Sequence, residues 1–252
     1  MKLKYYINRS SVCDLRMNAS FLLIAMLIGL FWATQGAAQA NWRNVNMGWE
    51  TSCNPDRGSI SRTRRLITFR TSSNNCTGGI FDQRAELHSK FISVNRQIIY
   101  MFESTISMRT ESREGFIFFQ IHDGRNGCSP PMSLRWRENN TLSFDSNFTR
   151  DQGMDGCEVN HELQNARYTG PRLRRDGTQY HFRAVLEFAG NGNFDINVFM
   201  DGVQVISGHY QPSSDPSFVV SPKFYMKHGV YSRYVWLYAF QSENMKVYRA
   251  RS

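Results

Sequence analysis

Three short segments of the chain carry polar side chains spaced to act together. In Arg84-Ala85-Glu86-Leu87-His88, the residues Arg84, Glu86 and His88 are two apart and so share one face of a strand, with Ala85 and Leu87 on the other. After the apolar run Phe116 to Phe119, Gln120 and His122 project together while Ile121 opposes them. In the third segment Tyr225, Lys227, Gly229 and Tyr231 share a face, opposite Met226, His228 and Val230. Each feature also has a plain reading: Arg84 and Glu86 as a solvated ion pair, His122 as a structural histidine, Tyr231 as a core tyrosine with its hydroxyl at the rim. Taken jointly, a face of Arg, Gln, His, Lys and Tyr makes a poor core and a good polar cleft.

Those side chains fit one reaction, abstraction of the proton α to a carboxylate with loss of the glycosidic oxygen one carbon further on. The C5 proton of a uronate is barely acidic while its carboxylate is charged. The site must therefore neutralise the carboxylate, remove the proton and protonate the leaving oxygen. An arginine fork and a glutamine amide can hold the carboxylate. A histidine has a pKa suited to a base, and a tyrosine can serve as base or acid.

The elements that position these residues read as strands. Runs rich in β-branched and aromatic residues recur between Gly, Asn, Asp and Ser clusters, among them Phe116 to Ile121, Tyr180 to Phe188, Phe194 to Met200 and Tyr234 to Phe240. Phe194, Ile196 and Val198 alternate with Asp195 and Asn197, the mark of a half-buried strand. Asp201-Gly202 between Met200 and Val203 is a hairpin turn signal. No segment sustains a 3.6-residue apolar period, so the expectation is all-β, a sandwich or open barrel. With no linker or repeat after Asn41, residues 41–252 read as a single domain.

Residues 1–40 read as a secretory signal peptide. Lys2, Lys4, Arg9 and Arg16 lead into the apolar run Phe21 to Trp32, and Ala38-Gln39-Ala40 offers small residues at a cleavage site. The run of about 12 apolar residues is shorter than the ~20 that span a bilayer, so no membrane association is expected after cleavage. A start at Met17 would give a conventional short n-region. Removing four basic residues and Asp14 takes the net charge from +9 to +6, a balance that suits an acidic partner in a secreted protein. Cys53, Cys76, Cys128 and Cys157 remain, an even count that reads as two disulfides in an oxidising compartment. Of the three possible pairings, Cys53–Cys76 with Cys128–Cys157 closes the shortest loops. Zinc binding is the rival use, but there is no Cys-x-x-Cys spacing.

The three segments resemble motifs of the alginate lyases of polysaccharide lyase family 7. Arg84 to His88 is similar to Arg-x-Glu-Leu-Arg, Gln120-Ile121-His122 matches Gln-Ile-His, and Tyr225 to Tyr231 resembles Tyr-Phe-Lys-Ala-Gly-x-Tyr, in the same order. The resemblance runs from about residue 80 to the end. It implies a concanavalin-like β-jelly roll with a concave substrate groove. It further implies that Arg84 and Gln120 neutralise the uronate carboxylate and that His122 is the base for one C5 epimer. Tyr231 would be the acid, and also the base where proton and leaving group lie on the same side. Lys227 would line the groove, with Glu86, His88, Tyr225 and Arg233 beside the substrate. Arg135 and Arg137, alternating with Met132, Leu134 and Trp136, are candidate subsite cations.

The sequence departs from the family at His88 (for Arg), Met226 (for Phe), His228 (for Ala) and Ser232-Arg233 (for Asn-Gln). These changes fall in the groove motifs and bear on the substrate. The Lys-x-Gly-x-Tyr-x-Arg ending also resembles the glucuronan and heparin-type lyases, so the expected substrate is alginate or another polyuronate such as glucuronan. The alternative from another class is a non-catalytic carbohydrate-binding jelly roll for acidic glycans. A hydrolase would need paired carboxylates flanking the bond, and the Glu-x-Asp-x-x-Glu strand motif of the jelly-roll glucanases does not occur. No calcium-loop spacing appears, so neither metal nor cofactor is expected. The expected partner is an acidic polysaccharide and not nucleic acid, bound by a monomer.

Overall fold

The computed structural model describes residues 41–73, 81–124, 130–149, 157–159, 161–212, 221 and 223–250; the side chains of 147–149, 157–159 and 161 are not described. The expected signal peptide lies outside the described residues.

The strands are, in chain order, β1 (Arg43–Asn44), β2 (Glu50–Thr51), β3 (Ile60–Arg62), β4 (Leu66–Arg70), β5 (Gln83–His88) and β6 (Ile92–Ser93). The next are β7 (Gln97–Arg109), β8 (Phe116–His122), β9 (Met132–Trp136), β10 (Leu142–Asp145), β11 (Asn147–Thr149) and β12 (Cys157–Val159). The last are β13 (Asp176–Ala189), β14 (Phe194–Met200), β15 (Val203–Tyr210), β16 (Lys223–Ser232) and β17 (Ala239–Ala250). Among the described residues the only helix is the short α1 (His161–Gln164).

Two antiparallel sheets account for most of these strands. One has eight strands in the order β15-β14-β13-β7-β17-β4-β3, with β1 pairing β17. The other has seven, β10-β9-β8-β16-β5-β2, with β6 pairing β16. The fold is therefore an all-β jelly-roll sandwich, as the period-two alternation requires. Asp201 and Gly202, at φ 51° and 83°, turn β14 into β15 as a tight hairpin in which both central residues have positive φ.

The core lies between the two sheets. Phe119, Ile121, Met226, His228 and Val230 from the seven-stranded sheet are fully buried, as are Phe69, Phe102, Phe182 and Phe240 from the other. Aromatic pairs cross the interface: Phe102 with Phe119 at 5.0 Å and Phe118 with Phe182 at 5.2 Å between ring centroids. His228 is part of this core, its ring 4.9 Å from that of Phe102. Its Nε2 meets Ser242 Oγ at 2.9 Å, and Ser242 Oγ meets Ser104 Oγ at 2.6 Å. Burial pushes the His228 imidazole down to about 3, so it packs as a neutral ring.

The segment Tyr234 to Phe240, read from its composition as a strand, begins β17 only at Ala239. Side chains rather than a neighbouring strand satisfy its backbone. Gln83 Nε2 donates to the Tyr234 carbonyl, Thr71 Oγ1 to that of Trp236 and Thr110 Oγ1 to that of Leu237. Aromatic residues are there to pack, with Trp236 and Tyr238 buried, but the chain carrying them has no ladder.

Candidate active site

The register of β16 with its two neighbours assembles the polar face. On one side Tyr231 pairs with Arg84, Gly229 with Glu86 and Lys227 with His88. On the other Lys227 pairs with Gln120 and Tyr225 with His122. All eight polar residues that the spacing placed on strand faces, with Gly229 among them, thus come together on the outer face of the seven-stranded sheet, opposite the core residues.

Two irregularities set this phase. Strand β8 holds one extra residue against β9 between Ile117 and Phe119, so Phe118 and Phe119 both pack inward and the alternation restarts with Gln120 and His122 outward. Strand β16 bulges against β8 between His228 and Tyr231, around Gly229 at φ 144°. A Cβ there would run into the Ala85 carbonyl oxygen and approach Glu86 Cα to 2.7 Å, so only glycine fits.

Although this face points away from the core, its side chains are buried: Glu86 is 0% exposed, Gln120 2%, Lys227 6%, Tyr231 7% and Arg84 8%. They form the floor of a recess. Gln120 Nε2 donates to Glu86 Oε1 at 2.5 Å, and Arg84 Nε lies 3.5 Å from Glu86 Oε2. Glu86 is therefore an internal counter-ion, and the solvated ion pair gives way to a buried acid that fixes its neighbours. Its carboxylate opposes two cations, Arg84 and Lys227, while Asp123 stands at the far end beside His122. Burial pushes the Lys227 ammonium down, while Glu86 holds it up.

Tyr231 is held at one end of the floor. The Arg84 guanidinium sits 3.9 Å over its ring, and its hydroxyl oxygen accepts the Phe81 amide hydrogen at 3.1 Å. At the other end His122 stacks on Tyr225, with centroids 4.9 Å apart and planes 17° from parallel. Burial first, then the charges of Lys227 and Arg84, push the His122 imidazole down to about 3, so it is neutral at ordinary pH. Burial, with Asp123 and Glu86 adding to it, pushes the Tyr225 phenol up to about 12, so it stays protonated and serves as a packing and donor group. His88 Nδ1–H donates to the Ser89 carbonyl at 3.2 Å.

Three of the expected substrate cations stand apart from this cluster. Arg135 on β9 is ion-paired with Asp145 at 3.4 Å and Glu138 at 3.6 Å. Arg137 follows the end of β9 and lies 3.8 Å from Glu138. Arg233 is exposed beyond the end of β16, with its guanidinium carbon 5.4 Å from the Tyr234 ring centroid. Nothing in the sequence marks Phe81, which contributes a backbone amide, or ties Cys53, read as a disulfide cysteine, to this site, where its Sγ accepts from Arg84 Nη1 at 3.6 Å. Cys76, Cys128 and the Cys157 side chain lie outside the described residues, and with them the expected disulfide pairing.

No family model matches the chain, and no curated protein matches it in sequence. Solved structures match its fold. The alginate lyase AlgAT5 from polysaccharide lyase family 7 superposes with a TM-score of 0.50 at 15% identity, over 80% of this chain and 94% of that one. Alginate lyase A1-II′, of the same family, gives a TM-score of 0.50 at 16% identity, over 77% and 85%. At that identity the likeness shows the fold: this chain is a jelly roll of the kind on which those alginate lyases are built.

Proposed function

We propose that the chain is a polysaccharide lyase that cleaves a uronate-containing acidic polysaccharide, alginate or another polyuronate such as glucuronan, by β-elimination to leave unsaturated uronate ends. The observation that carries this reading is the recessed floor in which Arg84 and Lys227 flank Glu86 and Gln120, with Tyr231 and His122 at its two ends. A buried site carrying two such cations suits a bound carboxylate, because charge–charge attraction is strong where solvent is excluded.

In this mechanism Arg84 and the second amide hydrogen of Gln120 hold the substrate carboxylate, so that negative charge can build on it as the C5 proton leaves. Lys227 adds positive potential beneath the sugar. Tyr231, next to Arg84 across the ladder, handles the proton and delivers one to the leaving oxygen. The alginate-lyase fold of the two solved structures supports the same chemistry. Residues 1–40 serve as the export leader, and the four remaining cysteines form disulfides in the exported domain.

The test is ultraviolet absorbance during incubation with separate mannuronate and guluronate blocks, glucuronan, heparin and hyaluronan. Elimination creates a C4–C5 double bond conjugated with the carboxylate, which absorbs; hydrolysis and binding do not. Silence across the panel from folded protein, together with measurable glycan affinity, would replace the lyase by a binding module.

A further inference from the structure

His122 closes β8, and the chain turns back on it at once. Gly124, at φ 85°, directs its amide hydrogen onto His122 Nδ1 at 2.9 Å. A nitrogen that accepts an N–H bond presents its lone pair, so in the neutral ring the proton is on Nε2. Asp123 Oδ1, the acid closest to that nitrogen, lies 4.0 Å from Nδ1, beyond hydrogen-bonding distance. Lys227 and Arg84 face the ring with positive charge, and Tyr225 covers it by stacking. These neighbours disfavour the doubly protonated ring.

We propose that the Gly124 amide is a specificity-determining group: it fixes His122 as an Nε2–H donor to the substrate, removes it as a base, and leaves Tyr231 to move the proton alone. This rests on the lyase reading above. The Tyr231 phenolate oxygen takes the C5 proton, and the electrons of that C–H bond form the C4–C5 double bond as the C4–O4 bond breaks. The phenol so formed gives the same proton to O4, which restores the phenolate. The Phe81 amide hydrogen meets that oxygen directly, and the Arg84 guanidinium lies over the ring that carries it.

One proton carrier on one side of the sugar serves only a uronate whose C5–H and C4–O bonds lie on the same face of the ring. D-Mannuronate and D-glucuronate have that arrangement. L-Guluronate and D-galacturonate place the two bonds on opposite faces and require a base on the far side. The substrate class is thus narrowed to polymers of the first pair.

The test has two parts. Nitrogen-15 NMR of the folded protein should show His122 Nδ1 as the unprotonated, pyridine-type nitrogen and Nε2 as the protonated, pyrrole-type one; the reverse would overturn the proposal whatever the activity. Elimination should then proceed on mannuronate blocks or glucuronan with a kcat/KM at least about 10²-fold above that on guluronate blocks or polygalacturonate, the lower end of what a positioned base contributes. Comparable rates on both classes would overturn the proposal and leave the lyase reading standing, whereas no elimination from any uronate would remove both. His122→Gln, which keeps a donor near the Nε2 position, should lose no more than about ten-fold. A loss of roughly 10²–10⁴-fold in a folded His122→Gln protein would mark His122 as the base and refute the donor role.

Discussion

Gln120 and Glu86 are joined by a 2.5 Å hydrogen bond although they are not on neighbouring strands. Strand β16 runs between β8 and β5, so the contact crosses it diagonally, from Gln120 opposite Lys227 to Glu86 opposite Gly229, which has no side chain in the way. The bond fixes the Gln120 amide in the floor of the recess and holds the acid beside Arg84.

Glu86 should accordingly be intolerant of change. Glu86→Ala leaves Arg84 and Lys227 facing each other in a buried site and strands one Gln120 donor. Breaking one partner of such a buried set costs about 3–5 kcal/mol, measurable by urea denaturation. Glu86→Gln keeps the shape and loses the charge, so it should be less destabilising than Glu86→Ala while still lowering activity. Equal stability of both variants and the parent would show that the acid is not the counter-ion of the floor.

Tyr231→Phe isolates the chemistry from the fold. The ring keeps its place beneath the Arg84 guanidinium, and the hydroxyl is lost together with its bond from the Phe81 amide. Elimination should fall by roughly 10²–10⁴-fold, the usual contribution of a positioned acid–base group, with glycan binding and thermal unfolding little changed. Undiminished turnover would remove Tyr231 from the mechanism.

The arginines divide into two classes. Arg84→Ala should cost about 10²–10³-fold in kcat, the scale for losing one preorganised donor to developing charge. Arg135 is already paired with Asp145 and Glu138, and exposed or half-exposed pairs of that kind contribute little. Arg135→Ala should therefore leave kcat intact and shift KM by no more than a few-fold. A large fall in kcat would place Arg135 against the reacting sugar after all.

How much of this could be read from the chain follows its periodicities. Where alternation is regular, as at Phe194, Ile196 and Val198 or at Tyr225 to Tyr231, both strand and face are correct, because a period of two leaves no choice of side. The eight polar residues that converge were all legible in this way. The depth of the site was not: Glu86 reads as a solvated partner of Arg84, and only pairing across β16 shows that it is buried. The bulge that lets Phe118 and Phe119 both point inward is equally silent, since an apolar run gives no sign of where the phase resets. Tyr234 to Phe240 misleads because aromatic content reports packing rather than pairing. The tautomer of His122 depends on a backbone amide, which every residue but proline carries and which composition cannot mark.

His228 gives the last prediction. The family resemblance marks this position as a departure, and the ring lies among Phe69, Phe102 and Phe240 with its Nε2 bonded to Ser242. Its folded pKa is pushed down to about 3, below the ordinary 6.5, so between these values the unfolded chain binds a proton that the folded one does not. Stability from this group is therefore fully present above pH 6.5 and is lost as pH falls toward 3, at about 1.4 kcal/mol per pH unit. His122, also pushed down to about 3, adds a second contribution of the same sign. His228→Leu removes one of the two and should shallow the loss of stability between pH 6.5 and 5 by about half, as read from urea midpoints at half-unit intervals. Wild type and variant losing stability in parallel across that window would mean that His228 is not held neutral in the core.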